Sequence, residues 1–192
     1  MSESEQRENG DGAPPIRLVA LTGFMGSGKT TIGRELASLL GWEFADLDEM
    51  IEGVEHTSIR ELFRQRGEEE FRKIEHRTLA TLLAHFSEPT VLALGGGVFV
   101  QPNNFELLRQ NWIRTVFLEA TVDEMLRRCS VGDGQDAENV RPLAVDRAGF
   151  EQLYEQRLPW YRRADVTVRG DAITAAEVAK VIATTLHLRK GR

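Results

Sequence analysis

The apolar run "IRLVALT" (16–22) leads without interruption into "GFMGSGKTT" (23–31). Gly23, four residues, and then Gly28-Lys29-Thr30 satisfy G-x-x-x-x-G-K-[ST] in full. The residues after it, "KTTIGRELASLLG" (29–41), carry Ile32, Leu36, Leu39 and Leu40 at helical spacing and stop at Gly41. A strand, a glycine-rich turn and a helix in immediate succession leave few folds open. In such a turn successive backbone N–H groups wrap phosphate oxygens, and the helix adds its positive end. Glycine is required because side chains would block the approach. Lys29 is suited to reach the β- and γ-phosphate oxygens, and the Thr30 hydroxyl to ligate Mg²⁺.

The rest of the chain repeats the alternation. Strands are expected at 42–46, 90–97, 113–120 and 165–170. Helices are expected at 48–53, 58–67, 68–86, 103–111, from 121 onward, 147–164 and 175–188. Ser58 with Glu61 three residues on is a capping signature. The stretch 130–142 is polar, with two glycines, and reads as a surface loop. Strands alternating with helices predict an α/β fold: a central five-stranded parallel sheet with helices on both faces, in three layers. Ligands of such folds lie beyond the carboxyl ends of the strands. The stretches to examine are therefore 23–31, 46–48, 95–97, the residues after 120, and the loop near 169.

Composition narrows the function. The 192 residues suit one ordinary domain, and 41% hydrophobic residues suffice for a core. A net charge of −6 argues against a nucleic-acid surface. The single cysteine, Cys129, has no internal disulfide partner, which fits a reducing cytosol. Residues 1–15 are polar and acidic, read as a disordered tail and not a signal peptide. No window approaches the roughly 18 apolar residues of a membrane span, and no repeat is visible. A cytoplasmic monomer is expected, with residues 16–192 as a single domain.

A phosphate loop does not identify an acceptor. A kinase acting on an alcohol profits from a carboxylate near the hydroxyl. "FADLDEMI" (44–51) supplies Asp46 and Asp48. If the strand continues through them, both side chains face one way. One would serve Mg²⁺ and the other the acceptor, and the cations would offset their repulsion. The competing reading is that Asp48 caps the following helix. In "GEEEFRKIE" (67–75), Arg72 and Glu75 are three apart on one helix face, an arginine preset for a further carboxylate or else an ordinary surface pair. "LALGGGVF" (92–99) ends a strand in Gly95, Gly96 and Gly97, with no acid at that position. That leaves the metal role to Asp46 and opens backbone N–H groups to a ligand. Arg141 closes the polar loop and Arg157 lies on the next helix. The first suits a lid over the phosphates, the second another fork for an anionic acceptor.

Taken in order, "GFMGSGKTT", "FADLDEMIE", "GEEEFRKIE", "LALGGGVF", "RPL" (141–143) and "RLPWYRRA" (157–164) resemble the shikimate kinase family over essentially all of 16–187. The resemblance implies a P-loop NTPase fold with a mobile lid at about 130–143 and a substrate-binding region at about 48–80. It implies transfer of a phosphoryl group from ATP, with Mg²⁺, to the 3-hydroxyl of shikimate, a step toward chorismate and the aromatic amino acids. By motif, Lys29 and the amides of Gly26, Ser27, Gly28, Lys29, Thr30 and Thr31 hold ATP. Thr30 binds Mg²⁺, with Asp46 nearby through water. Asp48 contacts the reacting hydroxyl, Arg72 and Arg157 grip the shikimate carboxylate, and Gly95–Gly97 line the substrate, Gly96 foremost. Arg141 reaches ATP phosphate from the lid. Lys29, Asp48 and Arg141 are the implied catalytic set. The lid departs from the family in its length and in Asp133, Asp136 and Glu138; Arg128 lies 13 positions before Arg141.

Overall fold

The computed structural model describes residues 15–131, 146–170 and 174–191. Its strands are β1 (Leu18–Thr22), β2 (Glu43–Asp46), β3 (Thr90–Ala93), β4 (Arg114–Glu119) and β5 (Val166–Arg169). The described helices are α1 (Lys29–Leu40), α2 (Leu47–Glu55), α3 (Ile59–His85), α4 (Pro102–Gln110), α5 (Val122–Val131), α6 (Arg147–Tyr161) and α7 (Ala175–Thr185). The strands form one five-stranded sheet in the order β2-β3-β1-β4-β5, with every pairing parallel.

Two-residue periodicity splits the strand side chains between two cores. Leu18 and Ala20 of β1, Leu92 of β3 and Phe117 of β4 face one side, where α2, α3, α4 and α6 supply Ile51, Ile74, Leu108 and Tyr154. Val19 and Leu21, Val91, and Val116 and Leu118 face the other, against Ile32 and Leu36 of α1 and Val178 and Ile182 of α7. Both faces of β1 and β3 are buried throughout, which is why those strands read as continuous apolar runs rather than alternating ones.

Three local expectations change. The strand does not run through Asp48: β2 ends at Asp46 and Leu47 already belongs to α2. Asp46, not Asp48, is the helix cap, accepting from the Asp48 backbone N–H at 3.0 Å. The two helices expected at 58–67 and 68–86 do part at Gly67 (φ 77°, ψ 173°), a non-helical break inside α3. Helix α5 extends to Val131, one residue past the expected start of the polar loop. The remainder of that loop, with Arg141, lies outside the described residues. Among those described, no helix is long and apolar enough to cross a membrane.

Candidate active site

The turn after β1, the end of β2 and the turn after β3 enclose one cavity of about 680 Å³ at the carboxyl edge of the sheet, a volume ordinary for a small-molecule site. Its walls include Gly26, Gly28, Lys29, Thr30 and Thr31 from the first turn, Asp46 and Asp48, Arg72 and Glu75 of α3, Gly95–Gly97, and Arg157 of α6. Residues drawn from five separate stretches of sequence thus share one space. Of the expected site residues that are described, Ser27 does not line the cavity, and it is buried.

Gly26 and Gly28 hold φ values of 74° and 93°, a region other residues enter at a cost. This curls the turn under the start of α1. The Lys29 ammonium donates to the carbonyls of Gly23 (3.1 Å) and Phe24 (3.0 Å) and so lies along the loop it serves. Although β3 separates β2 from β1, the Thr30 hydroxyl donates to Asp46 Oδ2 at 2.9 Å. A hydroxyl and a carboxylate beside a phosphate loop are the hard-oxygen donors Mg²⁺ takes when phosphate and water fill the rest of its shell. Among the described residues, no cluster of three or more His, Cys, Asp or Glu could hold a metal, so a cage made of protein alone is not what these residues offer. They fit a metal carried in with its phosphates.

The other half of the cavity is built on the three glycines. A Cβ at Gly95 would lie 2.6 Å from Asp48 Oδ1, and one at Gly97 would lie 2.6 Å from an Arg72 terminal nitrogen. Between them, the Gly96 carbonyl accepts from Arg157 at 3.3 Å. Each glycine of the turn therefore has one charged side chain against it, and two of the three owe that closeness to a missing methyl group.

Arg72 donates to both Glu75 carboxylate oxygens (3.0 and 3.1 Å) and to Glu68 (3.1 Å). Its Nε is buried without a partner among the described residues. The guanidinium also lies 5.3 Å from the Phe71 ring centre, as Arg157 lies 5.6 Å from that of Phe24. Aromatic faces at this range hold a cation while leaving its edge open. The Glu75 side chain is only 2% exposed. Burial pushes its carboxyl up from the ordinary range, and Arg72 and then Arg157 pull it part of the way back.

Sequence reading did not single out Met25, Ile59, Arg60 or Phe63, which also line the cavity. Ile59, Arg60 and Phe63 are of types common on helices, and only the fold shows that this turn of α3 faces the site. Arg128 and Cys129 line it too. Arg128 donates to Glu124 (2.7 Å), to the Ser27 carbonyl (3.2 Å) and to the Gly170 carbonyl (2.7 Å). It ties the phosphate loop to the end of β5.

The shikimate kinase family model matches residues 25–187. The shikimate kinase of Chlorobium chlorochromatii is 42% identical over 161 residues, covering 81% of this chain and 83% of that protein. The structure of shikimate kinase from Acinetobacter baumannii in complex with shikimate superposes with a TM-score of 0.79 at 34% identity, covering 90% of this chain and 94% of that one. A gluconokinase from Sinorhizobium meliloti superposes with a TM-score of 0.59 at 18% identity, covering 91% and 94%, a likeness of fold alone. A phosphate loop facing a carboxylate and two guanidinium groups across one cavity thus accompanies a match over most of the chain's length, and the chain belongs to the shikimate kinase family.

Proposed function

We propose that this chain transfers the γ-phosphoryl group of ATP to the 3-hydroxyl of shikimate, giving shikimate 3-phosphate and ADP on the route to chorismate. One observation carries the reading: Asp48, Arg157 and Arg72 each sit against one glycine of the turn 95–97, in the same cavity as Lys29 and Thr30. One carboxylate and two guanidinium groups match a small polyol bearing one acid.

In this reading the amides of residues 26–31 and Lys29 hold the phosphates, and Lys29 exchanges its two loop carbonyls for phosphate oxygens. Thr30 and Asp46 would hold Mg²⁺, which supplies charge neutralisation on the phosphate when bound. Arg72 and Arg157 fix the acceptor carboxylate, so that the ring presents its 3-hydroxyl to Asp48. Asp48 orients that hydroxyl and takes its proton as the oxygen attacks phosphorus. Arg141 belongs to the lid in this account, and closure excludes water from the reacting phosphoryl group. Residues 16–192 act as a single kinase domain, as a monomer, and the lone Cys129 suits the cytosol.

The competing acceptor is gluconate. Two arginines arranged around a compact acid favour the cyclic one. A coupled ADP-release assay with Mg·ATP and shikimate, run beside gluconate and a no-acceptor control, decides it. Release that depends on shikimate is expected, and release with gluconate alone would overturn the assignment.

A further inference from the structure

The Gly96 carbonyl accepts two hydrogen bonds, and the shorter is not from Arg157. The Tyr161 hydroxyl donates to it at 2.5 Å. Tyr161 is the last residue of α6, one helical turn beyond Arg157, and is fully buried. Its ring stacks on Phe117 of β4, with centres 5.3 Å apart and planes 22° from parallel. The hydroxyl is thus fixed by a sheet strand at one end and by the glycine turn at the other. Burial raises its pKa to about 12, so it remains a donor at any pH at which a kinase works.

We infer that Tyr161 is a positioning residue for the acceptor half of the site: by holding the Gly96 carbonyl it sets both the glycine turn and the guanidinium of Arg157 that shares that oxygen. The reasoning rests on the reading of the acceptor given above. A peptide plane is rigid, so fixing one carbonyl fixes the direction of the N–H on the same peptide. That peptide lies between the two glycines that give Asp48 and Arg72 their room. Without the hydroxyl, the carbonyl keeps only the 3.3 Å bond from Arg157. A carbonyl with one long partner draws that donor closer, and the guanidinium is pulled toward the turn and away from the acceptor.

Tyr161→Phe keeps the ring and its stack and removes only the oxygen. Shikimate binding by calorimetry and steady-state kinetics with each substrate varied provide the readouts. The expected result is a KM and Kd for shikimate raised about tenfold, the scale of one buried hydrogen bond, with the KM for ATP unchanged. Phe117→Leu, which disturbs the stack but keeps the hydroxyl, should move shikimate affinity less than Tyr161→Phe while lowering thermal stability more. Unchanged shikimate affinity in Tyr161→Phe, or equal losses for both substrates, overturns the positioning role while leaving the acceptor assignment standing. A wild-type chain that does not bind shikimate overturns the acceptor assignment, and this role with it.

Discussion

Asp48 is in the first turn of a helix and not on a strand, and that changes what its partner does. Asp46 caps the helix on which Asp48 rides, accepting from the Asp48 N–H with one oxygen and from Thr30 with the other. The two carboxylates therefore differ by backbone geometry, not only by neighbours. Asp48→Asn should lower kcat by about 10²–10⁴-fold, the range for a lost general base, with the KM for ATP kept. Wild-type turnover in steady-state assays would sink the assignment. Asp46→Asn should instead raise the Mg²⁺ concentration needed for half-maximal turnover, read from a Mg²⁺ titration at fixed ATP. Glu75 yields a pH prediction. Its pKa is raised by burial in the folded chain, so the folded state binds the proton more tightly than the unfolded state does. Stability from this group is present below the unfolded value and is lost as pH rises through the raised one. Relative to Glu75→Gln, the wild type should therefore lose stability as pH climbs from about 4.5, while the Gln variant should show a higher KM for shikimate. Parallel denaturant titrations across pH test the first part; a constant gap would contradict it.

At the scale of elements, the junctions matter more than the helices and strands they join. Gly67 interrupts α3 at φ 77° and ψ 173°, and a Cβ there would meet nothing within 4 Å. Its cost to another residue is therefore backbone strain alone, of order 1–3 kcal/mol. Gly67→Ala should lower the urea midpoint by a corresponding amount with an unchanged m-value. A variant as stable as wild type would mean that the helix straightens without penalty. Gly97→Ala has the opposite character. Its new methyl would lie 2.6 Å from an Arg72 nitrogen, so it should raise the KM for shikimate with little effect on ATP, read from two-substrate kinetics.

For the whole molecule, the proposed acceptor half comprises α2, α3, the turn after β3 and the end of α6, and the proposed donor half the loop before α1. Hydrogen exchange should show shikimate protecting residues in 48–80 and leaving α7 unaffected. Unaltered exchange in 48–80 would contradict closure around the acceptor. Much of this arrangement is legible in the sequence. The two buried strands announce themselves as unbroken apolar runs, the glycine loop by its motif and its helix by periodicity, and the ends of strands locate the cavity. What is hidden depends on proximity between distant segments. Leu47 gives no sign that the chain turns into a helix at once, since "FADLD" alternates as a strand does. Tyr161 reads as one more aromatic on a helix until β4 and the glycine turn are brought against it. Arg60 and Phe63 lie on a helix whose inward face is set by packing against α2, which no local pattern encodes.

The strand order has a further implication. β2 is at one edge of the sheet, while the phosphate loop springs from β1 in its middle, with β3 between them. The side chains that would choose the acceptor, Asp48, Arg72 and Arg157, are anchored on α2, α3 and α6, and none on the nucleotide loop itself. A segment from β2 through α3 is thus contiguous in sequence and peripheral in the sheet. Transplanting such a segment between kinases of this fold, with Asp46 kept opposite Thr30 and the matching stretch of α6 carried along, should change the alcohol acceptor while leaving the phosphate loop as it stands.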